Sequence, residues 1–93
     1  MLSGPYCTMM LSDHGAEVIK IESGTGDSSR LNGPFRKDDP KQEWAGYFVS
    51  LNRSKKSVDI DLKSQEGKEA FLSLITSADV VVENFRPGVM ERL

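Results

Sequence analysis

Three short runs rich in β-branched residues, Glu17 to Glu22 (EVIKIE), Ser57 to Leu62 (SVDIDL) and Val80 to Val82, restrict the fold of this sequence more than any other feature. Branched side chains suit a pleated surface, so such runs read as strands. In the second run Val58, Ile60 and Leu62 alternate with Asp59 and Asp61, which predicts one buried and one polar face. The third run is continuously apolar, as expected of a strand covered on both faces. Between them lies a helical pattern. Ser64 suits its N-cap, and Glu66 falls in the first turn, where the helix dipole favours a carboxylate. Ala70, Phe71, Leu74, Ile75 and Ala78 form its apolar stripe. A strand–helix–strand unit of this kind predicts parallel pairing with a crossover helix.

The flanking segments extend that reading. Residues 4–15 form a helical pattern in which Pro5 suits the first position, because its missing N–H has no helical partner there. Cys7, Met10, Leu11 and His14 share one face, and Gly15 suits the left-handed residue that ends a helix. From Ser23 to Glu43 the periodicity lapses into a long irregular loop holding Gly24, Gly26, Gly33, Pro34 and Pro40. Loops of that length are commonly either functional or disordered. Residues 44–51 (WAGYFVSL) predict one or two helical turns, the basic Arg53, Lys55 and Lys56 follow, and Pro87 opens a last helix. The expected class is α/β, a Rossmann-like parallel sheet with crossover helices. A doubly wound unit normally begins on a strand, so residues 1–93 are expected to be a single partial domain whose first strand and downstream parts lie elsewhere.

Composition removes several functions. Twelve basic against 14 acidic residues leave a net charge of −2, without the clustered basic excess of a nucleic-acid or membrane-surface binder. One cysteine rules out an internal disulfide, and no ligand spacing suggests a metal site. No apolar run approaches the roughly 18 residues of a membrane span. The expectation is a soluble, cytoplasmic protein without nucleic-acid or membrane partners.

Candidate chemistry is sparse. Cys7 and His14 are separated by roughly 10 Å along a helix rising about 1.5 Å per residue, too far for a nucleophile and its base. A buried thiol and a helix-end histidine are the expected readings. The Gly24–Gly26 pair lacks the third glycine and the following helix of a dinucleotide fingerprint, which leaves a flexible loop. No pair of carboxylates stands out as catalytic. The end of the third run is more informative, because ligands of open parallel sheets bind outside the carboxyl ends of the strands. Asn84, Phe85 and Arg86 fall there, Lys63 leaves the second run on the same edge, and Arg53, Lys55 and Lys56 add positive charge nearby. Amide, ring and guanidinium groups suit a polyanionic ligand with an aromatic moiety; they equally suit strand-end capping and a solvated surface.

The segments GPYCTMMLSDHGAEVIKIE, YFVSLNRSKKSVDIDLKSQEGKEA and ADVVVENFRPGVMERL together resemble consecutive stretches near the start of the class III CoA-transferases, the formyl-CoA transferase and CaiB/BaiF-like family. The resemblance covers nearly the whole chain, with 23–43 loosely matched. It implies a Rossmann-like domain within an interlaced homodimer, and CoA transfer between an acyl-CoA and a carboxylic acid through aspartyl intermediates, or α-proton chemistry in a racemase branch. Coenzyme A or acyl-CoA is then a substrate, with no tightly bound cofactor and no metal. The family's CoA contacts fall on Leu2, Ser3, Ile60, Asp61, Leu62, Lys63, Asn84, Phe85, Arg86 and Arg92. Of these, Phe85 and Ile60 are placed to flank the adenine, and Lys63 and Arg92 to meet phosphates. Two departures matter. The arginine that formyl-CoA transferases carry after the glutamate of the first run is Ser23 here. The family's nucleophilic aspartate matches no aspartate of this sequence, so no catalytic residue is assigned and the chain alone is expected to be inactive. The alternatives are a stand-alone binding or assembly module and another Rossmann-like nucleotide-binding domain.

Overall fold

The computed structural model describes residues 2–93. Helix α1 (Ser3–Asp13) leads into strand β1 (Val18–Glu22), and one turn of 3-10 helix (Ser28–Leu31) follows. Helix α2 (Gly46–Leu51), strand β2 (Lys55–Asp59), helix α3 (Gln65–Ile75) and the short helix α4 (Val89–Arg92) complete the order. β1 and β2 pair in parallel, from Val18 opposite Lys55 to Glu22 opposite Asp59. The Ile60 N–H continues the ladder to the Glu22 carbonyl at 2.7 Å. The arrangement is therefore α/β with a parallel sheet, as the alternation of patterns predicts.

Local chemistry sets the boundaries. β2 starts at Lys55 and stops at Asp59, earlier than the run Ser57 to Leu62 suggests. It stops because Asp61 folds the backbone into a turn, its Oδ1 accepting the Lys63 N–H at 3.0 Å. The alternation nevertheless holds, with Val58 half-buried, Ile60 buried, and Asp59 and Asp61 exposed. α3 begins where expected: the Ser64 hydroxyl oxygen accepts the Gly67 N–H at 2.9 Å. It ends at Ile75, a turn before Ala78, because the Ser77 and Ala78 N–H groups bond to Leu74 and Ile75 in a tighter turn. Pro5 is the third residue of α1, still within the turn whose N–H groups lack helical partners.

Two sequence expectations are corrected. Val80 to Val82 is extended but joins no ladder, and these residues are 68, 50 and 42% exposed, not covered on both faces. The sheet of the described residues has β1 and β2 only, so no strand lies beside Val80 to Val82 to hydrogen-bond its backbone. Cys7 is exposed, not a buried thiol. α1 instead turns Met9 into the core, where Ala45, Leu51 and Ile60 are the other buried apolar residues. Cys7, Met10, Leu11 and His14 do share a face, together with Leu2 and Tyr6, and that face lies open.

A two-stranded sheet beside an exposed trio of valines is a poor end state in water, because unpaired strand edges recruit partners. The chain is expected to self-associate, giving a light-scattering mass above that of the 10.3 kDa monomer. A monomer mass held from dilute to concentrated solution would count against this.

Candidate functional site

A large cavity of about 1230 Å³ opens between the sheet and the C-terminal segment. Its walls are β1, the chain leaving β2 (Asp59 to Lys63), the apolar stripe of α3, the extended stretch Val80 to Phe85, and the first turn of α1. The turn at Asp61 and the cap at Ser64 aim the Ile60–Lys63 backbone along one rim. Asn84 and Phe85 follow the extended stretch on another, with the Phe85 N–H bonded to Glu83 Oε2 at 2.9 Å. The two rims meet the start of α1, where the Gly4 N–H donates to Asn84 Oδ1 at 3.0 Å.

The residues singled out from sequence divide accordingly. Ile60, Asp61, Leu62, Lys63, Asn84 and Phe85 line the cavity. Leu2 and Ser3 begin α1 next to it but face a second depression, of about 820 Å³, along the open face of that helix. Arg86 and Arg92 are exposed and off the cavity wall, although Val89, Met90 and Leu93 around Arg92 are on it. The basic run does not act together. Arg53 pairs with Asp13, and Lys56 with Glu17 at 3.3 Å, both on the surface. Only Lys55 turns to the cavity, donating to the Pro5 carbonyl and to Asn52 Oδ1, each at 2.9 Å. Burial, and then the neighbouring Lys20 ammonium, lower its pKa to about 8.

A charged cluster on the β1 side of the cavity escaped the sequence reading. Glu22, at the end of β1, accepts from Arg30 Nε and Nη2 at 2.8 and 2.7 Å, from Ser57 Oγ at 2.8 Å and from the Asp27 N–H at 2.8 Å. Asp27 accepts from Lys20 Nζ at 2.9 Å and from the Ser29 N–H and hydroxyl. The Arg30 guanidinium lies 3.9 Å over the Phe48 ring. The Arg30 hydrogen bonds, with those of Asp27 and Ser57, outweigh burial and bring Glu22 down to about 2. Burial opposes ionisation of Asp27, but Lys20 and Ser29 outweigh it and bring that carboxyl to about 2 as well. Gly26 is needed in this turn. Its φ is +83°, and a Cβ there would lie 2.7 Å from Glu22 Oε2. The pairing of a strand-end glutamate with an arginine eight residues on was the available signal. The lack of periodicity across residues 23–43 hid it.

No helix among the described residues is long and apolar enough to cross a membrane. Comparison with known proteins fixes the family. The sequence model described as CoA-transferase family III matches residues 1–93. Succinyl-CoA:mesaconate CoA-transferase of Haloarcula hispanica is 53% identical over 92 residues, covering 99% of this chain and 23% of that protein. Formyl-CoA:oxalate CoA-transferase of Rhodopseudomonas palustris is 49% identical over 92 residues, covering 98% of this chain and 21% of that protein. Among solved structures, a CaiB/BaiF family protein from Brucella suis superimposes with a TM-score of 0.88 at 42% identity, over 98% of this chain and 24% of that one. The chain thus spans about a quarter of the length of the relatives it matches. Identity of this level across the whole of residues 1–93, on the same fold, makes the chain a member of CoA-transferase family III.

Proposed function

We propose that the chain forms one side of the coenzyme A site of an acyl-CoA:carboxylate CoA-transferase. The observation that carries this reading is the convergence of Ile60–Lys63 with Asn84 and Phe85 on one cavity at the strand ends. Parallel sheets bind ligands at that edge. Lys63 supplies a mobile ammonium for a phosphate, and the Phe85 ring, 49% exposed, supplies a stacking surface for the adenine. Arg86 and Arg92, exposed just outside the cavity wall, supply further cations beside its mouth, while Leu2 and Ser3, which face the neighbouring depression, contribute at the α1 end. Asp61 and Leu62 act through their backbone, since the Asp61 carboxylate already accepts the Lys63 N–H. The reading extends to a cytoplasmic homodimer, for which the support is the family resemblance. The transferred acyl group and the acceptor acid are set by parts of the protein outside these residues, and so is the nucleophilic carboxylate. Both alternative readings, a stand-alone module and another nucleotide-binding domain, lack a comparable observation.

Calorimetric titration of CoA tests this site. Lys63→Ala and Arg92→Ala each remove a charge-assisted hydrogen bond of about 1.5–3 kcal/mol. Each is expected to weaken binding about tenfold to hundredfold, since about 1.4 kcal/mol is tenfold. Phe85→Ala is expected to lose about 1–3 kcal/mol of stacking. If the three side chains were only structural, affinity per folded molecule would stay constant while the melting temperature fell. Unchanged affinity in all three folded variants would overturn the assignment.

A further inference from the structure

We infer that Asn84 is a positioning residue: its carboxamide caps α1 from the far end of the chain and sets the first turn of that helix against the Phe85 rim. The inference deepens the coenzyme A reading and rests on it for the functional half of its test. The local sequence leaves α1 without a cap of its own, because the N-cap position is Leu2, whose side chain has no acceptor. N-cap oxygens take the N–H of the second or third helical residue. The third is Pro5, which has no N–H, so Gly4 is the donor that such a cap must satisfy. Asn84 Oδ1, 80 residues away in sequence, accepts it at 3.0 Å.

The fit is steric as well as polar. A Cβ on Gly4 would lie 3.1 Å from the Asn84 Cβ, so a larger residue there would push Asn84 back by a few tenths of an ångström. The same turn is held on its carbonyl side. Thr8 Oγ1 donates to Gly4 O at 2.9 Å, and Lys55 Nζ donates to Pro5 O at 2.9 Å. Asn84 is therefore the link between the first turn of α1 and the Phe85 rim, two segments far apart in sequence that wall the same cavity. Its carboxamide oxygen works inside the protein.

Amide hydrogen exchange of the 93-residue chain reads the cap directly. Asn84→Ala is expected to speed exchange at the Gly4 N–H by about fivefold to tenfold, the equivalent of one ordinary hydrogen bond. Asn84→Asp keeps the acceptor oxygen and is expected to keep the protection. Gly4→Ala leaves Asn84 intact but pushes it back, and is expected to weaken the protection, which keeps the test open if Asn84→Ala does not fold. Unchanged Gly4 exchange in both alanine variants, or equal loss in Asn84→Asp, would overturn the cap. The functional half is a double-mutant cycle read as CoA affinity. If Asn84 acts through Gly4, the double alanine variant binds no more weakly than Asn84→Ala alone. Additive losses would show that Asn84 touches the ligand independently, overturning its role through α1. A wild-type chain that takes up no CoA would refute the coenzyme A reading, while the exchange experiment would still decide the cap.

Discussion

Glu22→Ala is expected to cost about 3 kcal/mol of folding stability, the lower end of what breaking a buried ion pair costs. The lower end applies because the partner, Arg30, keeps 34% of its side chain exposed, whereas Glu22 keeps 6%. The arginine is able to recover water. The Ser57 hydroxyl and the Asp27 N–H, which both point at the missing carboxylate, recover less. The turn from Gly24 to Arg30 loses its anchor with them. Urea unfolding measures this, and a loss below about 1 kcal/mol would mean that the cluster behaves as an ordinary surface pair. The same carboxylates set the acid limit of the fold. Glu22 falls from 4.5 to about 2 on folding, and Asp27 from 3.8 to about 2. Both folded values are depressed, so their contribution is full above the unfolded values and is lost as the pH drops from about 4.5 to about 2. Glu22→Gln is expected to flatten the stability–pH curve across that window, and an unchanged slope would assign acid sensitivity to other groups.

What the sequence made legible follows from how local each feature is. The cap at Ser64 and the parallel pairing of two β-branched runs depend on neighbours within a few residues and on one crossover rule. The location of Lys63 just beyond the end of β2 follows from that topology. Val80 to Val82 departs from its sequence pattern for the opposite reason. Its composition reports a preference for an extended, buried state, but burial requires neighbouring strands, which the described residues do not supply. Cys7 fails in the same way: periodicity places it on a face, and only packing decides which face turns inward. The sequence places positive charge at 53, 55 and 56 near the second run but gives it no direction. In three dimensions Arg53 and Lys56 are held on the surface by Asp13 and Glu17, and Lys55 alone reaches the cavity. The Glu22–Arg30 pair and the Gly4–Asn84 cap are tertiary events with no periodic signature.

Gly67→Ala is expected to destabilise the chain by about 3 kcal/mol, against the direction that helix propensity alone predicts. Gly67 is the third residue of α3, where alanine ordinarily gains about 1 kcal/mol over glycine. Here a Cβ would lie 1.7 Å from the Asp61 carbonyl oxygen, 2.6 Å from its carbon and 2.8 Å from Ser64 Oγ. The first two are backbone atoms, so no rotamer change relieves the overlap. α3 must move away from the turn that follows β2, and two things give way. The Ser64 cap on the Gly67 N–H is lost at about 1 kcal/mol. Repacking of the helix start against the Asp61 turn adds the upper part of the about 1–3 kcal/mol typical of overpacking, and a backbone clash takes it further. The sum outweighs the propensity gain. The Asp61 turn also carries Lys63, through the hydrogen bond from the Lys63 N–H to Asp61 Oδ1. The substitution should therefore lower CoA affinity as well as the urea midpoint, while Lys68→Ala one residue on should change stability by no more than about 0.5 kcal/mol. A Gly67→Ala chain as stable as wild type, or more stable, would show that the close passage of α3 over Asp61 is not a constraint on the fold.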